Sequence, residues 1–346
     1  MEQIMAVLTG EKTYGERLCA YANFKRNMPF TAVSFDSITA YANFARKHKV
    51  GVLLTDGHIG KDCRYFREPD SPVEEMVIGL FDETDEESVF NYSEGPGIDT
   101  YTLIPKYQSA EKIMRSVMNC CSTIGCHLAG QREGRGSNIA GIYAPDGRVE
   151  KTLYALIMAK VASLEKKTLF ISFEEFSGVS RLSSENYTAS LSDAMLAHKA
   201  GGLNGEKLYS MVYTYSGIDY IPPIQYAGDM KGMTGEDCQA LLLSIMEQGL
   251  YEVLIVDLPL SFSLSEELMD ICREVFIPEL DDELSAAKTD EFMDYLEFSK
   301  KLKLRSKICR FKLPKLMPMK LTSSYIDTLL YSEMGDMARK HAEFIR

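Results

Sequence analysis

The sequence lacks any Cys-x-x-Cys pair among its 8 cysteines, and no histidine stands at zinc spacing from them. A structural zinc and a disulfide framework are both disfavoured, and the cysteines read as reduced thiols. No apolar run is long enough to span a bilayer. There is no internal repeat and no low-complexity tract. A basic excess is also missing: the formal charge is -12. That balance opposes non-specific binding of nucleic acid or anionic lipid by the chain as a whole. The N-terminus runs straight into a strand pattern and carries Glu2, so no signal peptide is expected and the expected location is cytoplasmic.

What is present is a chain of 346 residues with ordinary apolar content, enough for two domains. Strand-like and helix-like patterns alternate from the start. Ile4 to Leu8, Phe30 to Phe35, Val50 to Leu54, Glu75 to Phe81 and Thr100 to Ile104 read as strands. Helical patterns cover Tyr14 to Lys25, Ile38 to Lys47 and Ser109 to Cys121. That alternation argues for a parallel sheet covered on both faces. A polar, glycine-rich stretch at 130–138 reads as a connection. The expected division is 1–125, a linker at 126–137, and 138–346. In the second part, strands are expected at Ile139 to Tyr143, Thr168 to Phe173, Val253 to Val256 and Ile308 to Leu313. Helices are expected at Lys151 to Leu164, 187–198, 234–249, 264–272 (capped by Ser263), 286–299 (capped by Ser285), and from Ser323 onward.

The chemistry concentrates after the strand at 139–143. Residues 145–152 read Pro-Asp-Gly-Arg-Val-Glu-Lys-Thr, with Lys-Thr opening a helix. A helix start offers free N–H groups and positive potential to phosphate. A lysine there reaches β- and γ-phosphates and the adjacent hydroxyl serves Mg2+, roles that Lys151 and Thr152 fill. The bland alternative is a helix that happens to begin Glu-Lys-Thr. Val253 to Val256 leads to Asp257 at a strand's C-terminal edge, where an acid holds a metal-bound water or simply starts a turn. The strand ending at Phe173 leads into Glu174, either a water-orienting carboxylate or a solvated acidic turn.

Residues 145–152 resemble the deviant phosphate loop of the MinD/ParA ATPases, Gly-Lys-Gly-Gly-x-Gly-Lys-Thr. Gly147, Lys151 and Thr152 match; the family's signature lysine falls on Asp146, and loop glycines fall on Pro145, Arg148 and Glu150. The missing glycines matter because backbone must approach phosphate closely. Asp257 and Pro259 are similar to the family's Asp-x-Pro-Pro, with Leu260 departing. The family's Asp-x-Asp falls on Ser172 and Glu174. Ser190-Leu191-Ser192-Asp193 and Ile218-Asp219-Tyr220-Ile221-Pro222-Pro223 resemble the pilus-assembly CpaE/TadZ branch, as does the ending Leu329 to Gly335.

This resemblance implies an α/β protein with mainly parallel sheets: a flavodoxin-like, receiver-type domain followed by a P-loop domain of the MinD/ParA kind. It implies ATP or ADP at Asp146, Gly147, Arg148, Val149, Glu150, Lys151 and Thr152. Mg2+ would sit at Thr152 and Asp257, and Glu174 would be the catalytic water-positioning group. Arg148 is the candidate to replace the lost trans contact of the signature lysine. Hydrolysis is expected to be slow or absent. The expected partners are a second copy and proteins of a pilus or secretion assembly. No sequence-specific nucleic acid is expected, and membrane contact is peripheral at most, at a polar or membrane-associated assembly. Two alternatives stand: a nucleotide-independent scaffold, and a response regulator with an ATPase output.

A working receiver needs an acidic pair after its first strand, a phosphoacceptor Asp after its third and a Lys after its fifth. Here Glu11 alone stands near the first, Asp56 follows the third and Lys106 the fifth, so a pseudo-receiver is favoured. His58 reads as an incidental loop residue. Residues 300–320 carry nine Lys/Arg and no acid. Alternation at 301–307 and 310–312 suggests charges on one face of an extended segment, either for an anionic partner or to guard an edge strand. The last helix aligns Ile326, Leu330, Met334, Met337, His341 and Phe344. Its acids Asp327, Glu333, Asp336 and Glu343 favour packing on protein over lipid.

Overall fold

A computed structural model describes residues 3–25, 28–56, 73–82, 102–124, 138–182, 185–314 and 324–345. His58 and the linker 126–137 lie outside the described residues. The chain divides into two compact units, one of Met1–Gly130 with Asn204–Ser210, the other of Gln131–Leu203 with Met211–Arg346.

The first unit holds five parallel strands: β1 Gln3–Leu8, β2 Phe30–Phe35, β3 Val50–Asp56, β4 Val73–Phe81 and β5 Thr102–Pro105. Their spatial order, β2-β1-β3-β4-β5, is the flavodoxin-like doubly wound order. Strand β3 is buried at every position, as a central strand covered on both faces must be. Helices Lys12–Phe24, Ile38–Ala45 and Ala110–Ile124 accompany the sheet.

The second unit is built on seven strands: β6 Asn138–Ile142, β7 Thr168–Ser172, β8 Tyr213–Tyr215, β9 Ile218–Tyr220, β10 Val253–Asp257, β11 Glu274–Glu279 and β12 Ile308–Lys312. Their order is β12-β11-β6-β10-β7-β9-β8, with only the β8–β9 pair antiparallel. That hairpin turns on Ser216 and Gly217, both at positive φ, which suits a two-residue turn matched to strand twist. Strands β8 and β11 and the helix Gly205–Met211 were not expected from the sequence.

The order creates the site. Strand β6 leads through helix Val149–Glu165 across β10 to β7. Strand β10 leads through helix Phe262–Ile271 across β6 to β11. These adjacent strands therefore send their connections in opposite directions. Ligands of open α/β sheets bind at such a switch point, beyond the strands' C-terminal ends.

Helix Val149–Glu165 is central to the second unit, with buried residues on every face. Against it pack Ile326, Leu329, Leu330, Met334 and Ala338 of the C-terminal helices Tyr325–Leu330 and Glu333–His341. The stripe read from sequence thus closes on its own unit. Helix Leu191–Lys199 begins with a Ser190/Asp193 capping box, and Gly235–Glu247 with a Thr234/Asp237 box. Two expected caps are corrected. Helix Phe262–Ile271 starts after Ser261 rather than Ser263, and Glu283–Phe298 is capped by Asp282, whose side chain accepts from the Ser285 N–H.

The basic segment is corrected too. Residues Leu302–Arg305 form a short helix, so the expected extended alternation is confined to β12. There Arg310 pairs with Glu279 and Asp290 at 2.7 and 2.8 Å, and Lys312 with Asp281 at 2.6 Å. Lys301 pairs with Glu266 and Arg305 with Glu297. These cations on an edge strand and beside it are matched by the chain's own acids. Residues 315–320 lie outside the description. Burial holds the thiols of Cys19, Cys238 and Cys272 up at about 12, so they stay protonated and unreactive. No helix among the described residues is long and apolar enough to cross a membrane.

The C-terminal helix is fastened by one polar contact in this core. Tyr154 Oη and His341 Nδ1 lie 2.5 Å apart, and the imidazole stacks on Phe276. Burial raises the Tyr154 pKa, so its hydroxyl stays protonated, and a neutral imidazole completes the hydrogen bond. Burial first, and Lys340 second, lower the His341 pKa below its ordinary 6.5. A depressed histidine pKa means the unfolded chain binds the proton more readily. The contact therefore contributes stability above pH 6.5 that is lost as pH falls through the lower folded value. The urea midpoint should drop as pH is lowered from 7 to 5, and His341→Gln should flatten the drop. An equal drop in the variant would contradict this linkage.

Candidate functional site

Three strands end level at the switch point. Asp257 at the end of β10 stands in register with Ile142 of β6 on one side and Ser172 of β7 on the other. Its carboxylate is fully buried. Oδ2 accepts from Thr152 Oγ1 and Ser172 Oγ, each at 2.8 Å. Oδ1 accepts from Lys151 Nζ at 2.7 Å. One carboxylate thus gathers the Lys-Thr pair of the loop helix and the serine of β7.

Lys151 is 2 % exposed. Its ammonium donates to Glu174 Oε1 at 2.5 Å, to Asp257 Oδ1 and to the Leu258 carbonyl. An ammonium has three donors, and all three have acceptors within the protein. Glu174, expected either as a water-positioning carboxylate or as a solvated acidic turn, faces Lys151, and its own N–H donates to Ser172 Oγ at 3.3 Å.

The loop departs from expectation in two ways. The helix opens at Val149, not at Lys151, so Glu150 and Lys151 already lie in its first turn. A tight turn precedes it, with Gly147 N–H donating to the Ala144 carbonyl and Gly147 at φ 68. A Cβ on Gly147 would meet Leu260 Cδ2 at 3.2 Å. Leu260, which departs from the expected second proline, is thus seated against the turn. Arg148 does not reach outward as a replacement for a trans lysine. Its guanidinium is 6 % exposed and bonds to Asp146 and to Ser285 Oγ. The Ser285 contact spans 137 residues and carries no sequence signal.

Two features test whether a nucleotide fits. Arg148 Nη1 is a buried donor with no partner among the described residues. Burial pulls the Arg148 pKa down against the opposing pull of Glu150, Asp282 and Glu279. The helix start also has no side-chain cap, so its first N–H groups remain for an anion. Thr152 and Asp257 supply the hydroxyl and carboxylate that a hard divalent cation or its waters prefer. These residues fit a phosphate and Mg2+. No cluster of three metal-ligating His, Cys, Asp or Glu occurs among the described residues.

Beside the loop lies a cleft of 470 Å³, bounded by Glu174, Thr234, Pro259, Leu260 and Glu267. Large apolar side chains stand exposed on the loops and helix starts that follow five strands: Val149, Phe176, Tyr226, Leu260 and Leu284.

The first unit gathers its expected residues as well. Asp56 is buried, and its Oδ2 accepts from Thr9 Oγ1 at 2.5 Å, from Gly10 N–H at 3.2 Å and from Lys106 Nζ at 3.2 Å. Lys106 also donates to Glu11 at 2.7 Å. Burial lowers the Lys106 pKa, but its bonds to Glu11 and Asp56 outweigh that and raise it.

No family model matches this sequence, and no curated protein matches it either. Among solved structures, the chain is similar to a ParA family ATPase from Chlorobium tepidum TLS. The identity is 14 %, with 60 % of this chain and 99 % of that one covered, and a TM-score of 0.48. It is similar to cobyrinic acid a,c-diamide synthase from Mycobacterium smegmatis, solved with ADP and magnesium: 13 % identity, 60 % and 93 % covered, TM-score 0.43. It is also similar to a Cyanothece McdA–ATP complex: 19 % identity, 60 % and 80 % covered, TM-score 0.39.

The ion cluster makes a stability prediction. Lys151→Ala leaves Asp257 buried without its cation, and breaking a buried pair in this way costs about 3–5 kcal/mol. The lower end applies because Glu174 is 21 % exposed and partly solvated. The urea midpoint should fall accordingly, while Glu150→Ala, in the same turn and outside the cluster, should leave it near wild type. An unchanged midpoint in Lys151→Ala would contradict the cluster's structural role.

Proposed function

We propose that this chain is a nucleotide-binding organiser of the MinD/ParA kind that binds ATP or ADP with Mg2+ at residues 146–152 and dimerises. The observation that carries it is the convergence of Lys151, Thr152 and Ser172 on Asp257 at the switch point of a parallel sheet. The unpartnered Arg148 nitrogen supports an anion at the loop. When bound, Mg2+ would supply positive charge that offsets the charge of the phosphates. The protein's own part is to hold phosphate with Lys151 and the helix N–H groups, and to seat the metal's waters with Thr152 and Asp257.

Hydrolysis is slow or absent in this reading. Glu174 is engaged by Lys151, so it orients water only after leaving that contact. The exposed apolar residues around the site support a second copy as the dimer partner. The assembly served is a pilus or secretion assembly of the CpaE/TadZ type, at a cytoplasmic, polar or membrane-associated site. Two of the three segments that suggest this branch meet directly: Leu191 N–H donates to the Pro222 carbonyl at 2.8 Å. The pairing of β12 cations with the chain's own acids speaks against nucleic acid as the partner. The first unit serves as a pseudo-receiver for protein contact, because Glu11 is tied to Lys106 and leaves Asp56 without a free acidic pair.

A nucleotide-independent scaffold is the second reading. It is favoured by the saturation of Lys151 with internal acceptors.

Calorimetric titration with ATP or ADP in the presence of Mg2+ should show binding, and Thr152→Ala should weaken its Mg2+ dependence. Light scattering should show the dimer fraction rising with nucleotide. No heat at millimolar nucleotide, with an unchanged oligomeric state, would reject the first reading in favour of the second.

A further inference from the structure

The internal acceptors of Lys151 are not equivalent. Leu258 contributes a backbone carbonyl, fixed by the chain. Asp257 is fully buried and holds Thr152 and Ser172 as well as the lysine. Glu174 is the member open to exchange. It follows β7 on a loop, it is 21 % exposed, and it borders the open cleft. An arriving phosphate oxygen must replace one of the three acceptors, because the ammonium has no fourth donor. Glu174 is the one that can leave.

We propose that Glu174 is an internal stand-in for a terminal phosphate, so that the resting site selects a nucleoside diphosphate over a triphosphate. The inference rests on the nucleotide-binding reading. A lysine at this position spans β- and γ-phosphate oxygens in a triphosphate, and that takes two of its donors. A diphosphate takes one. The diphosphate therefore displaces Glu174 alone, whereas the triphosphate must also dislodge Asp257 or the Leu258 carbonyl. The side chains of the site add to the bias. Asp146, Glu150, Glu174 and Asp257 carry four negative charges against two positive from Arg148 and Lys151. The additional negative charge of a γ-phosphate enters this surplus with Glu174 as its nearest competitor for the lysine. Glu174 acts here through Lys151, as a specificity-determining residue.

The test is calorimetric titration of the full chain with ADP and with ATP, each with Mg2+, in wild type, Glu174→Gln and Glu174→Ala. Wild type should bind ADP about tenfold or more tightly than ATP, a ratio that one displaced charge contact readily supplies. Glu174→Gln keeps shape and removes charge, so it should strengthen ATP binding and bring the two affinities within about threefold. Glu174→Ala, with the acceptor gone, should do the same, and a thermal melt checks that both variants fold. Equal or tighter ATP binding by wild type would overturn the inference and leave the nucleotide reading standing. A diphosphate preference that persists in both variants would overturn the role of Glu174. Binding of neither nucleotide to any of the three proteins would defeat the nucleotide reading, and this inference with it.

Discussion

The second unit depends on one ammonium group. Lys151 sits in the first turn of a buried helix, among the C-terminal ends of three parallel strands, with solvent almost excluded. A buried charge of this kind persists only when paired and fully hydrogen-bonded. Asp257, Glu174 and the Leu258 carbonyl meet that need. The same three contacts fix where the β7 and β10 loops begin, and through Thr152 and Ser172 they fix the first turn of the helix. The region can therefore be well ordered without a ligand.

That arrangement gives the degenerate loop a physical meaning. In a glycine-rich phosphate loop, the backbone wraps around the anion and the lysine completes the cradle. Here a tight turn replaces the wrap, Leu260 lies against Gly147, and Arg148 is drawn inward to Asp146 and Ser285. The protein supplies its own anions where a ligand's would be. In the proposed reading, nucleotide acts as a competitor for Lys151, and affinity becomes a difference between internal and external acceptors rather than a property of the loop alone.

Much of this was legible in the sequence, for definite reasons. Apolar runs such as Val253 to Val256 mark buried parallel strands, and an acid directly after such a run marks the sheet's C-terminal edge. Asp257 and Glu174 follow from that logic, Lys151 from the Lys-Thr pair that opens a helix, and the three come together. The strand–helix alternation before residue 125 likewise led to a five-stranded sheet in flavodoxin-like order. Strand β11 escaped because Glu274 and Pro278 interrupt its apolar pattern, and β8 because three residues are too few for a period to register. The early helix start at Val149 escaped because no cap residue precedes it: Arg148 occupies the cap position without a side-chain bond. Contacts across long separations, such as Arg148 to Ser285, belong to the topology and have no local signature.

The measurement that bears most directly on Lys151 is a structure determined in the presence of ADP and Mg2+. The expected result is Lys151 bonded to a phosphate oxygen, Glu174 released towards the cleft, and the metal's waters on Thr152 and Asp257. A nucleotide-free site in the same conditions, with Lys151 still bonded to Glu174, Asp257 and Leu258, would contradict the exchange of internal for external anion.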